Sequence, residues 1–169
     1  IDGFSSDQVQ SLTSGQIGNF GSEQLSYLVA NKTSDLTSTQ VAGLTARQFS
    51  QLVSSDVVSL LSADLIDDVT TTALSGLATD VINDLDSTQI EAMSTSQIAK
   101  LSATQLSAMD TGAMAALGTA DMDALTSLQV KNLSTDFVKA LNTEQMASLR
   151  VASLAVMNYE QIQAFDAGE

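Results

Sequence analysis

The sequence contains no cysteine, histidine, proline or tryptophan, and aromatic residues make up 4% of it. Lacking cysteine, the chain has no disulfide framework and no redox motif from which a compartment follows. Lacking histidine as well, it has no zinc site of the Cys/His kind, no imidazole acid–base catalyst and no ordinary nucleophile–base pair. An enzyme is therefore not expected. Glycine-rich phosphate loops are missing too: Gly3, Gly15, Gly18 and Gly21 are spaced through the first repeats and are expected to relax helix ends.

Positive charge is scarce. Against 20 acidic residues stand 6 basic ones, a net charge of −14, and a field of one sign repels phosphate backbones and anionic lipid headgroups. Nucleic acid and membrane-surface partners are not expected; the acidity keeps a repetitive, alanine-rich surface soluble, or else attracts cations or basic partners. No apolar run is long enough to span a bilayer, and no basic segment followed by an apolar stretch marks a signal peptide. The opening Ile1-Asp2-Gly3 lacks a methionine, so the chain reads as a soluble, mature or excised piece of something longer.

What is present is one short unit copied many times. Serine, threonine, alanine, leucine, glutamine and aspartate dominate the 169 residues, of which 44% are hydrophobic, too many and too regularly placed for a disordered tract. The period is eight. An apolar residue opens nearly every unit: Phe4, Leu12, Phe20, Leu28, Leu36, Leu44 and Leu52, then, after a one-residue slip at Leu60-Leu61, Leu61, Val69, Leu77, Leu85, Met93 and so on to Phe165. Lettering the unit a to h, a second apolar series fills f, from Val9, Ile17 and Leu25 to Ile162, and Thr33 alone breaks it. The six methionines, Met93, Met109, Met114, Met122, Met146 and Met157, all lie on a or f and are expected to fill the core.

The polar residues explain how such a unit folds. Ser, Thr, Asp or Asn at b and Gln at e form a capping box, in which the b side chain accepts from the N–H at e and the glutamine reaches back to the N–H at b. The apolar residues at a and f then become the N′ and N4 partners of a hydrophobic staple. Each b residue starts a helix of about six residues, about 9 Å long. A continuous helix is excluded, because eight residues make about 2.2 turns and the leucines would drift around the cylinder. Alternating apolar positions, the mark of a β-solenoid, are missing.

One octad cannot offset the entropy of ordering its own backbone, so neighbours must stack. The expected fold is an all-α solenoid of short helices, one per octad, with a continuous Leu/Ile/Val/Met spine and two or three helices per superhelical turn. The whole of residues 1–169 is read as a single repeat domain. Two irregularities are expected: a helix overrunning from Ser22 towards Ala30, with a turn at Asn31-Lys32 and an insertion near 29–35, and one longer helix near 143–156, where Arg150 and Val151 replace the cap.

Two features suggest a ligand. Asp64, Asp67 and Asp68 lie close in sequence, and Asp80, Asp84 and Asp86 follow two units later; carboxylates so grouped are weak candidates for Ca²⁺, the only cofactor considered, although Asp near a helix start is favoured anyway. Hydroxyls at b and c, such as Thr37-Ser38, Thr70-Thr71-Thr72, Ser94-Thr95 and Thr126-Ser127, form a ladder that would suit ordered water, ice or a glycan. Capping accounts for column b without any ligand.

The tandem units Leu36 to Leu44, Leu85 to Met93, Met93 to Leu101 and Leu101 to Met109 resemble octapeptide arrays of very large, acidic, secreted bacterial surface proteins, including adhesin-like ones with a type I secretion character. The resemblance implies an extracellular or cell-surface location and a role as spacer, stalk or matrix component. Self-association into filaments and a Ca²⁺- or glycan-binding adhesion module are the alternatives, with protein or a second copy as the expected partner.

Overall fold

The computed structural model describes residues 3–166 and contains only helices and turns there. The first half holds α1 (Ser6–Gln10), α2 (Ser14–Ile17), α3 (Ser22–Lys32), α4 (Ser38–Ala42), α5 (Ala46–Phe49), α6 (Ser54–Leu60), α7 (Thr71–Ser75), α8 (Thr79–Asn83) and α9 (Ser87–Ala92). The second half holds α10 (Thr95–Ile98), α11 (Ala103–Leu106), α12 (Thr111–Ala116), α13 (Thr119–Ala124), α14 (Ser127–Lys131), α15 (Thr135–Ala140), α16 (Thr143–Ala147), α17 (Val151–Leu154) and α18 (Tyr159–Asp166). Two 3-10 turns, Thr33–Asp35 and Ile66–Asp68, stand where an octad makes no α-helix of its own. The chain is an all-α array of short helices in register with the octads.

Every helix starts where the b residue sits. Ser5, Thr13, Thr45, Asp86, Ser102, Thr126 and Asn142 each accept from the N–H three residues on, and the glutamine there returns the bond. Two otherwise orphaned donors are satisfied by one pair of side chains. Most helices end after one or two turns because the next a residue is extended, as at Met93 with ψ 139° and Leu125 with ψ 133°. No described residue has a positive φ, so the glycines serve no left-handed caps. Gly18 is a helical C-cap and Gly21 an extended N-cap, both at helix ends, whereas Gly15 lies inside α2 and is not at an end.

The a and f side chains meet in one apolar cluster running from Val9 to Ala164. Met93, Met109, Met114, Met122 and Met157 are buried in it and Met146 is half-buried against it. Phe165, the last opener, has its backbone in α18, and its side chain lies outside the described residues. From α7 onwards each helix packs on the third one along. Side-chain bonds described below also reach back 28 and 31 residues, so a superhelical turn takes between three and four octads. Two per turn is excluded.

The irregular places differ partly from expectation. Near residues 29–35 the helix does overrun, but α3 continues through Asn31 and Lys32, and the 3-10 turn follows at Thr33–Asp35. Thr33, in the f column, turns its hydroxyl back onto the Val29 carbonyl. The slip at Leu60-Leu61 lengthens α6 so that both leucines are fully buried. The single helix expected near 143–156 does not form. Its place is taken by α16 and α17, broken at Ser148–Arg150, because Leu149 is buried in the spine and holds the a-position bend even without a capping side chain at Arg150.

Candidate functional site: the glutamine ladder and the two end faces

The glutamine at e does more than close a capping box. In the interior it is buried: Gln40, Gln48, Gln97, Gln105, Gln145 and Gln161 are all less than 5% exposed. The side-chain oxygen faces its own N-cap, and the amide nitrogen points the other way, into the preceding turn. Gln97 Nε2 donates to the carbonyls of Ile66 and Val69, both at 2.8 Å. Gln105 donates to Leu74 and Leu77 at 3.2 and 2.9 Å, Gln145 to Met114 and Leu117 at 2.9 Å, and Gln161 to Val130 and Leu133 at 2.9 Å. Gln40 and Gln89 repeat the contact.

The acceptors are mostly an f carbonyl at a helix end and the a carbonyl of the bend after it, while Gln129 takes the g carbonyl of Ala99 beside the a carbonyl of Leu101. The f carbonyls already accept from the a N–H three residues on, whereas the a carbonyls have no backbone donor among the described residues, and burying these unpaired would cost about 1–3 kcal/mol each. Among the described residues no buried side-chain nitrogen or oxygen is left without a partner. Where e is not glutamine it is often apolar and buried, as in Ala73, Val81, Ala113 and Phe137. Sequence reasoning assigned this column to capping alone. The missed signal was its composition: glutamate serves a capping box equally well, yet most units carry glutamine in this column and none carries glutamate.

At two places residues of columns c and h meet closely across turns. A Cβ on Gly43 would lie 2.5 Å from Ser14 Cβ, and one on Gly76 would lie 2.9 Å from Ala46 Cβ. Packing between turns thus limits the size of some c residues. Ser127 Oγ lies 3.4 Å from Ser153 Oγ.

The acidic candidates do not converge. Asp64, Asp67, Asp68, Asp80, Asp84 and Asp86 are all exposed; Asp86 caps α9, and Asp67 and Asp68 lie in a 3-10 turn. Among the described residues no three acidic side chains are grouped closely enough to hold a metal ion. One exposed ion pair links turns: Arg150 donates to both carboxylate oxygens of Asp123, at 3.1 and 3.2 Å. Its hydrogen bonds and charge hold the Asp123 carboxyl below its ordinary range and raise Arg150. Among the described residues no helix is long and apolar enough to cross a membrane.

The ladder is open at both ends. Gln8, Gln16 and Gln24 cap their helices through the side-chain oxygen, but they are exposed, and no described residue accepts from their amide nitrogens. Beside them Phe4, Leu12 and Phe20, all in column a, are only partly buried and line one hollow together with Gln16 and Gln24. At the other end the a residues Leu149 and Met157 are buried, while the f residues Leu154 and Ile162 are 37% and 54% exposed. Column a therefore faces the preceding turn and column f the following one.

Such an array, with the same side-chain bond recurring between turns, is a tandem repeat protein. Residues 82–119 and 114–151 match the ALTTAQ repeat, and the two matches start four octads apart. The segment 82–151 is thus similar to ALTTAQ repeats. No curated protein and no solved structure matches the chain.

Proposed function

We propose that the chain is a non-enzymatic structural repeat array of a secreted or cell-surface bacterial protein, serving as spacer, stalk or matrix component. The glutamine ladder carries this reading. At many of the octads a turn is fixed to the one before it by the same buried glutamine donor, and at others by a buried apolar residue in the same column, which gives a stack whose stiffness does not depend on any one site. The resemblance to octads of large secreted proteins and the acidic surface support the extracellular setting.

A spacer should lengthen in proportion to its repeats. Small-angle scattering of the chain, and of forms in which residues 85–116 are present twice and three times, is expected to show the maximum dimension growing by one constant step. Growth that instead follows the cube root of mass would overturn the spacer role. Antibody labelling of intact source cells tests the location, and labelling only after lysis would overturn it.

A further inference from the structure

We propose that the groove between α3 and α6 binds an alkyl diamine or polyamine, with one ammonium group at each of two carboxylates. The site is independent of the spacer role, and its walls belong to two successive turns that both lie within the chain. Along one wall α3 runs on through Lys32 into the 3-10 turn Thr33–Asp35; along the other the one-residue slip lengthens α6 to Leu60. These two departures from the octad face each other, since α3 packs on α6, and the turns do not close there. Two hollows result, of about 540 and 530 Å³, joined by a shared wall of Thr33, Ser34 and Ser59.

Each hollow holds one carboxylate. Asp56 lies in the first with Asn31 and Ser55, over Val29 and Ala30. Asp64 lies in the second with Ser62, over Leu36 and Leu65. Asp56 is half-buried in column e, where a glutamine elsewhere bonds the preceding turn. Among the described residues no cation pairs with either carboxylate, and the neighbouring Lys32 is turned to Asp35 at 3.8 Å. A third acceptor adjoins them: the carbonyl of Leu36 has no donor among the described residues, because the facing column-e residue is Leu65. The lining thus offers negative acceptors and hydroxyls, with no positive group and no aromatic ring. Anionic ligands are repelled by it and by the net charge of −14. A neutral saccharide would leave both carboxylates without a counter-charge and would find no ring to stack on. A polyamine supplies what is missing: charged N–H donors for Asp56 and Asp64, and methylenes between them to cover the apolar floor.

The test is titration calorimetry of the 169-residue chain with spermidine in low salt. Saturable binding is expected, weakening as salt rises because the charges are partly exposed. Asp56→Asn and Asp64→Asn keep size and polarity and should each weaken binding by about five- to tenfold. Ser59→Leu, which fills the shared wall from an exposed position, should abolish it. All three should keep the circular dichroism of the parent. Asp80→Asn/Glu144→Gln removes two charges at exposed positions outside the groove and should bind like the parent. Propylamine, which has a single ammonium, should bind at least about tenfold more weakly than putrescine, which has two. No saturable heat with spermidine overturns the site and leaves the array reading intact. Equal losses in the groove variants and the control variant also overturn it, since they would mean a diffuse attraction to the acidic surface. Saturable heat with maltose that Ser59→Leu abolishes would put a saccharide in place of the amine and overturn the proposal.

Discussion

The side-chain amide of Gln97 donates to the carbonyl of Val69 at 2.8 Å, while the oxygen of the same amide holds the N–H of Ser94 at 2.8 Å. A single side chain starts its own helix and fastens it to the turn before. Glutamate can do the first and not the second.

Gln97→Glu or Gln105→Glu should therefore cost at least about 1–3 kcal/mol, since buried carbonyls lose a donor and a carboxylate is buried among acceptors. Gln16→Glu, at an exposed ladder end, should stay within about 0.5 kcal/mol. Burial raises the pKa of the introduced interior carboxyl. Its destabilisation is thus complete above that raised value and disappears below the ordinary unfolded one as the group becomes neutral. Urea unfolding from neutral to acid pH measures both effects; equal losses at positions 16 and 97 would remove the amide from the energetics.

Gly43→Ala isolates packing between turns. Alanine suits the helical backbone of Gly43, at φ −81° and ψ −9°, better than glycine does, a gain of at most about 1 kcal/mol. The added methyl meets the Ser14 Cβ at 2.5 Å, and overpacking costs about 1–3 kcal/mol. Net destabilisation is expected in thermal melts, partly relieved in the double variant with Ser14→Gly. A stabilised Gly43→Ala would show that the turns sit further apart.

The Asp123–Arg150 pair should be weak and sensitive to conditions. Both side chains are more than half exposed, so solvent screens their attraction. Because the folded-state pKa of Asp123 is lowered, the contribution is present above the ordinary carboxylate range and is lost as pH falls through the depressed value. A double-mutant cycle with Asp123→Ala and Arg150→Ala should give a coupling at neutral pH that fades in acid and in high salt. A coupling unchanged at 1 M salt would contradict the exposed geometry.

Octads are interchangeable if the ladder governs the stack. Deleting one whole unit, residues 93–100, brings another octad into the same register, and helical circular dichroism with cooperative melting should survive. Deleting residues 93–96 shifts every later glutamine by half a unit and should abolish cooperative melting. Equal tolerance of both deletions would show that the stack does not depend on the octad register.

Much of this was legible residue by residue. Thr13 with Gln16, or Ser102 with Gln105, announces a helix start because both capping partners are local in sequence, and the a and f columns announce the spine because burial follows a short period. Leu149 shows the limit. With Arg150 and Val151 after it, local chemistry favoured one long helix, but the spine holds Leu149 buried and breaks the segment into α16 and α17. Asp64 and Asp67, grouped in sequence, stay exposed, and no metal-binding group of three acidic side chains forms among the described residues.

The octad by itself determined where most helices begin, about how long they run and which side chains are apolar, because caps and staples act over four or five residues. Only the tertiary structure decided how many octads make a turn, and with it the second use of the glutamines and the opposite characters of the two ends. An amide nitrogen that meets carbonyls 28 and 31 residues away is placed by the stacking of whole turns, and no local interaction carries information over that distance.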